Sequence, residues 1–125
     1  MKKTLIFLLL ITSFNLQATE NELVGKADSN VTEPYSEQYS PRTFEKYQSR
    51  NDEITNLRTQ AARIALKSGK CDYVLFSEIH NRGDGRIDNI DFYVDCKNLN
   101  RFLFNEKDIR ANRIKDIKRP STSPL

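Results

Sequence analysis

A chain of 125 residues, 38% of them hydrophobic, has room for one small domain. Its formal net charge of +3 comes from 20 Lys and Arg against 17 Asp and Glu, and two of the lysines lie within the first three residues. Without residues 1–18 the net charge falls to +1. The overall charge therefore gives no reason to expect a nucleic-acid partner.

Residues 1–18 have the pattern of a secretory signal peptide. A basic start is followed by a largely apolar run over 4–14, and the small residue Ala18 marks the predicted cleavage site. The run is shorter than the roughly 20 apolar residues that a membrane span needs, and no cysteine near Ala18 could carry a lipid. We expect a periplasmic or secreted protein with no stable membrane anchor after cleavage.

Residues 19–42 are polar and show neither helical nor strand periodicity, so we interpret them as a flexible polar segment. The single folded domain is predicted over 43–118, followed by a disordered tail over 119–125. Apolar residues at helical spacing begin the domain: Phe44, Tyr47, Ile54, Leu57, Ala61 and Ile64. They predict a long amphipathic helix that has a weak point at 49–52 and ends at Gly69.

Two strand-like runs lie between Cys71 and Cys96, on either side of a Gly-rich middle. Folding the stretch about the Gly83–Asp84 bond places the cysteines opposite each other, so that paired residue numbers sum to 167. One face of this hairpin is then apolar nearly throughout, which favours this register over a shift by one residue. In an exported protein, a pair of cysteines is expected to form a structural disulfide.

A tight turn over 97–100, with Asn100 in the left-handed conformation, leads to a third strand from Arg101 to Phe104. Asn105 then begins a short basic helix, because it is followed by an acidic residue at the third helical position. The predicted fold class is α+β: a long amphipathic helix packed on a three-stranded antiparallel β-meander stapled by one disulfide, then a short C-terminal basic helix.

Four apolar residues fall on the sheet face away from the long helix: Val74, Phe76, Tyr93 and Leu103. An apolar face of this size needs a cover. The sequence leaves two alternatives open, since either the final helix or a partner protein can supply that cover. These four residues are therefore the candidate partner-binding residues. The strand edges at 71–79 and 101–105 also present backbone for pairing with another chain.

The hairpin tip resembles part of the twelve-residue calcium loop, with Asp84, Asp88 and Asp91 as candidate ligands. The pattern is incomplete, because His80 stands where the first acidic ligand belongs and Arg82 at the third position would repel a cation. Both flanks also have strand patterns in place of helices. We predict no metal and no other cofactor, and keep calcium binding as an alternative.

The tip has two further features of possible functional meaning. Arg82–Asp84 resembles the integrin-binding tripeptide, but three residues are a weak signal. His80 is the single histidine, and it lies near Glu78 with no nucleophile or phosphate loop beside it. The sequence therefore favours a protein that is not an enzyme and contains no catalytic residues, with a small secreted hydrolase as an alternative.

The basic residues near the C-terminus have two interpretations: Arg110, Arg113, Lys115, Lys118 and Arg119. They form either a solvated helix end or a contact for an anionic surface.

The absence of a catalytic constellation and the spare apolar face together favour a small, non-enzymatic protein-interaction module of the bacterial cell envelope. An accessory subunit, an inhibitor or an immunity-type binder fits this description. The expected partner is another envelope or secreted protein, and no nucleic acid is expected. The alternatives are a calcium-binding module at residues 84–91 and the hydrolase.

Overall fold

The computed structural model describes residues 22–80 and 86–119, which form an α+β fold. The helices are α1 (Pro41–Tyr47), α2 (Asn51–Lys67) and α3 (Glu106–Arg110). The strands are β1 (Val74–Ile79), β2 (Asp91–Cys96), β3 (Arg101–Asn105) and β4 (Asp116–Lys118), and they form one antiparallel sheet in the order β1-β2-β3-β4. The predicted signal peptide, the Arg82–Asp84 tripeptide and the tail beyond residue 119 lie outside the described residues.

The long helix is confirmed as α2. A 3-10 turn over Gln48–Arg50 separates it from α1, at the weak point that the sequence indicates. Gly69 follows its last turn with a φ of +77°, a left-handed conformation that suits glycine at a helix end. The apolar stripe of α2 is buried: Ile54, Leu57, Ala61, Ile64 and Ala65.

One face of the sheet, which we call the core face, packs against α2. Its side chains are almost fully buried: Val74, Ile79, Phe92, Val94, Phe102 and Phe104. The core face also receives Ile109 of α3, so the last helix lies on the same side of the sheet as α2. The opposite side, the outer face, carries Phe76, Tyr93 and Leu103, and no described helix packs on it.

The β1–β2 register differs from the predicted one. Ser77 pairs with Val94, so paired residue numbers in the regular part of the ladder sum to 171 instead of 167. Because the shift of four residues is even, most side chains keep their predicted face. The prediction failed because it placed the two cysteines directly opposite each other. In the structure Val74 pairs with Cys96. Cys71, which lies three residues before Val74 in the chain, forms the disulfide with Cys96.

A bulge between Val74 and Phe76 corrects a second prediction. The extra residue changes the alternation of the strand, so that Val74 points into the core and has no exposed surface. The placement of Val74 on the second face is therefore wrong.

The turn between β2 and β3 lies one residue earlier than predicted. Cys96 donates its backbone N–H to the carbonyl of Asn100, and Leu99, with a φ of +76°, is the left-handed residue. Val94 pairs with Phe102, two residues away from the predicted pairing with Phe104. The shift is again even, so the core face of β3 is as predicted.

The C-terminal part differs most from the prediction, because a fourth strand of the sheet follows the predicted short helix. Asn105 and Asp108 form the expected reciprocal cap of α3. The helix ends at Arg110, after which Asn112 adopts a positive φ of 52°. The chain then returns along β3 as β4 and places Ile117 opposite Phe102 on the core face.

The described part of the predicted flexible segment is packed against the domain. Leu23, Val31 and Tyr35 are buried in the core. Ala27 forms an isolated parallel bridge with Val74, beside the free edge of β1. The polar composition of this segment does not indicate this packing, because several of its hydrogen bonds satisfy backbone groups of that edge.

The predicted disulfide between Cys71 and Cys96 is present, with a Cα–Cα distance of 5.6 Å. It joins the residues before β1 to the end of β2. A structural disulfide indicates an oxidising, extracellular compartment. Separately, none of the described helices has the length and apolar character required to span a membrane.

Candidate interaction surface

The outer face presents an apolar centre. Phe76 is 39% exposed, and Leu103 is half-buried two strands away. Tyr93 lies between them on β2, paired with Leu103 on one side and with Glu78 on the other. Of the four predicted interaction residues, the structure thus brings three together on this face and assigns Val74 to the core.

Tyr93 forms the floor of this surface and has only 2% of its area exposed. The Arg101 guanidinium lies 4.5 Å from its ring centroid, and the His80 ring meets it edge-on with centroids 5.8 Å apart. These contacts cover an aromatic ring that is not part of the main core. Tyr93 therefore supports the surface and offers little area of its own to a partner.

The acidic side chains of the outer face are engaged within the described chain. Asp95 accepts two hydrogen bonds from Arg101, at 2.6 and 2.8 Å, and this paired geometry holds the pKa of Arg101 above its ordinary value. Glu78 accepts a hydrogen bond from the Tyr35 hydroxyl at 2.5 Å. Asp116 accepts the backbone N–H of Ile117.

Asp91 is engaged as well, since its carboxylate lies 3.5 Å from the Arg86 guanidinium. In contrast, Lys115 and Lys118 form no ion pair within the described residues. Lys115 lines a small hollow of about 170 Å³ together with His80 and Leu103. Asp91 lines the same hollow. The outer face therefore exposes Phe76 and part of Leu103 on either side of the covered Tyr93 ring, with two lysines and the exposed Asp116 near its β4 edge.

The free edge of β1 is closed by the N-terminal segment and by α2. The hydrogen bonds run from Val74 N–H to Lys26 O, Asp28 N–H to Val74 O, Asn30 Nδ2 to Leu75 O, Arg58 Nε to Ser77 O, and Ile79 N–H to Tyr35 Oη. The other predicted edge, at 101–105, is paired with β4. Neither predicted edge is therefore open for pairing with another strand.

Arg58 is the central residue of that closure. Its side chain is 2% exposed, and its guanidinium donates to three backbone carbonyls: Ser77 at 2.7 Å, Glu33 at 2.6 Å and Asn30 at 2.8 Å. The guanidinium also lies 4.3 Å from the centroid of the Tyr35 ring. In return, the Ser77 hydroxyl donates to the Arg58 carbonyl at 2.6 Å. We call these five residues the Arg58 cluster.

Sequence reasoning missed the Arg58 cluster, although a signal for it exists. Arg58 lies four residues after Ile54 and three before Ala61, so it falls within the buried stripe of α2. A charged side chain on an apolar helix face requires polar partners in the core. Burial also raises the pKa of Tyr35, which keeps its hydroxyl protonated as the donor to Glu78.

A second polar cluster, around Glu106, holds the base of the β1–β2 loop against the helices. Glu106 accepts two hydrogen bonds from Arg50 and one from the backbone N–H of Ile90. Arg50 also donates to the carbonyl of Ile87 at 2.6 Å. Burial alone would raise the pKa of Glu106, but the bonds from Arg50 and Ile90 hold it below its ordinary value.

The predicted calcium ligands are not brought together in the described chain. Asp84 lies outside the described residues, Asp88 is exposed, and Asp91 faces Arg86. The described residues contain no group of three or more acidic, histidine or cysteine side chains placed to hold a metal ion. His80 packs edge-on against Tyr93, and Glu78 is bound to Tyr35, so these two residues form part of the outer face and its support.

Comparison of the chain with protein-family models, with curated proteins and with solved structures finds no match. Its function is therefore inferred from the sequence and geometry of this chain.

Proposed function

We propose that this protein is a small, non-enzymatic interaction module that works outside the cytoplasm and binds another exported protein. The observation that supports this proposal most directly is that Phe76 is exposed on a sheet face that no described helix covers. The disulfide supports an oxidising location, and the pattern of residues 1–18 supports export.

The chemistry of the outer face supports one kind of partner. Its own carboxylates are already bound to Arg101, Arg86, Tyr35 and a backbone N–H. Lys115 and Lys118 form no ion pair within the described chain, and the exposed Asp116 between them keeps its charge, so this rim has a net positive charge. We therefore propose a protein partner that packs an apolar side chain against the exposed Phe76 and presents carboxylates to Lys115 and Lys118.

A capture experiment with matched variants tests this proposal. Wild type, Phe76→Asp and Val24→Asp are immobilised and exposed to an envelope extract from the source cells. Val24 is 75% exposed and lies beside α2, away from the outer face, so it controls for the loss of an exposed apolar group. We expect a partner that wild type and Val24→Asp retain and that Phe76→Asp loses, with equal melting temperatures of the three proteins.

The same experiment with Lys115→Glu separates the two parts of the proposal. Reversing the charge should weaken capture of the same partner, and raising the salt concentration should do the same for wild type. Equal recovery of every captured protein by wild type, Phe76→Asp and Val24→Asp would contradict a role of the outer face.

A further inference from the structure

The end of the sheet that carries the disulfide is a second surface, distinct from the outer face. The β2–β3 turn projects there, and Leu99 at its tip is 53% exposed. Leu99 also has a φ of +76°, a conformation that favours glycine or asparagine and costs about 1–2 kcal/mol for other residues. The backbone conformation of the turn therefore does not explain a leucine at this position.

Four exposed basic residues lie at this end of the sheet: Lys97 in the turn, Lys70 beside it, and Lys118 and Arg119 where β4 ends next to the start of β3. Lys70 is fastened to the turn, because its carbonyl accepts hydrogen bonds from the side chains of Asn98 and Asn100. Lys118 pairs with Arg101 at the start of β3, and Arg119 follows it. None of the four forms an ion pair within the described chain.

The acidic residues at this end accept hydrogen bonds. Asp72 accepts the backbone N–H groups of Tyr73 and Asn98, and Asp95 is bound to Arg101. Asp72 is exposed and keeps its negative charge, because its donors are neutral backbone groups. The turn end therefore presents four basic side chains and one carboxylate near one exposed apolar side chain, an excess of positive charge. An apolar tip near an excess of positive charge is an arrangement that binds the interface of an anionic bilayer, where the leucine enters the headgroup region and the cations lie against phosphates.

We infer that the turn at residues 97–100 docks the protein reversibly on an anionic phospholipid surface. The small apolar area makes this a weak, peripheral contact. Charge provides most of the attraction, at about a fivefold gain in binding for each lysine near the surface. The outer face and the turn end involve different apolar residues, Phe76 and Leu99, and share Lys118. The tests below therefore change Lys97 and Leu99, which belong to the turn end alone.

Vesicle sedimentation tests the inference. The chain from residue 19 onward, with its disulfide intact, is mixed with vesicles of phosphatidylcholine alone or with phosphatidylglycerol added. We expect binding only to the anionic vesicles, weakened by salt. Lys97→Gln should reduce the binding about fivefold. The matched control Lys107→Gln, which changes an exposed lysine at the other end of β3, should leave the binding unchanged.

Leu99→Asn separates a role in binding from a role in folding. Asparagine tolerates the positive φ better than leucine, so the melting temperature should stay equal or rise while the affinity for anionic vesicles falls. Ile87→Asn, at an apolar residue that is 48% exposed in the β1–β2 loop, should retain the affinity. Binding that is equal for neutral and anionic vesicles, or unaffected by Lys97→Gln and Leu99→Asn, would overturn the inference. Binding to heparin without binding to vesicles would overturn it in favour of a soluble polyanion.

Discussion

Replacing Arg58 should be the most destabilising single change on the surface between α2 and β1. In Arg58→Met the side chain keeps much of its length and packing but loses every donor. Three carbonyls, those of Ser77, Glu33 and Asn30, then lack the charged donor that now binds them. The Tyr35 ring also loses the cation that lies 4.3 Å from its centroid.

The size of the effect follows from these contacts. A buried polar group left without a partner costs about 1–3 kcal/mol, and hydrogen bonds to charged groups are at the upper end of the usual range. Since two of the three bonds are only partly buried, we expect a loss of about 3–5 kcal/mol in the free energy of unfolding. In a domain of this size that corresponds to a fall of about 15–30 °C in melting temperature.

Urea unfolding followed by circular dichroism measures the free energy of unfolding for wild type, Arg58→Met and Arg63→Met. Arg63 is a half-buried arginine of the same helix, which makes it the matched control, and its replacement should cost less than about 1 kcal/mol. Arg58→Lys should recover only part of the loss, because an ammonium group cannot serve three carbonyls in fixed directions. Equal stabilities of Arg58→Met and Arg63→Met would refute the role assigned to the Arg58 cluster.

Two further predictions concern the disulfide and pH. Replacing Cys71 and Cys96 together by serine should lower the free energy of unfolding by about 3.5 kcal/mol, since the bridge closes a loop with a sequence separation of 25; coincident denaturation curves would contradict this. Folding lowers the pKa of Glu106. The contribution of Glu106 to the free energy of unfolding is therefore complete at a pH above its ordinary pKa of 4.5, and it disappears as the pH falls through the folded pKa. Glu106→Gln should therefore be less stable than wild type at pH 7, and the difference should shrink at pH 3; an unchanged difference would show that Glu106 is not the responsible group.

Periodicity was enough to predict the elements around the core. The spacing of apolar residues in α2 and the alternation in the hairpin each allow one buried face, and those faces meet in the structure. The β1–β2 register was harder to predict. The hydrophobic pattern distinguishes an odd shift from an even one, but it does not detect an even shift of four residues. The cysteines did not resolve it, since a disulfide requires a suitable Cα–Cα distance and not a directly opposed pair.

The outer face was predicted only in part for a related reason. The bulge after Val74 changes which residues of β1 point outward, and a bulge leaves no mark in a pattern of apolar residues. The Arg101 side chain covers the Tyr93 ring while it is paired with Asp95. Predicting this contact requires the correct β2–β3 register. Phe76 and Leu103 remain as the accessible apolar residues.

The N-terminal segment and the C-terminal strand were misjudged because their role is to complete the sheet. Residues 22–35 have few apolar side chains, and their position depends on backbone groups of β1 that need partners. Ile114 and Ile117 are spaced as on a helix, but the turn at Asn112 directs the chain back along β3. Local spacing cannot show that an edge strand needs a neighbour.

The most direct test of the proposed function is site-specific crosslinking in the intact envelope. A photoreactive amino acid is placed at Phe76 in one variant and at Val24 in another, both of which expose the group to solvent. The account predicts one discrete protein adduct from position 76 that position 24 does not give, and its loss when Lys115→Glu is added. No adduct from position 76, or the same adducts from both positions, would contradict the claim that the outer face binds a partner.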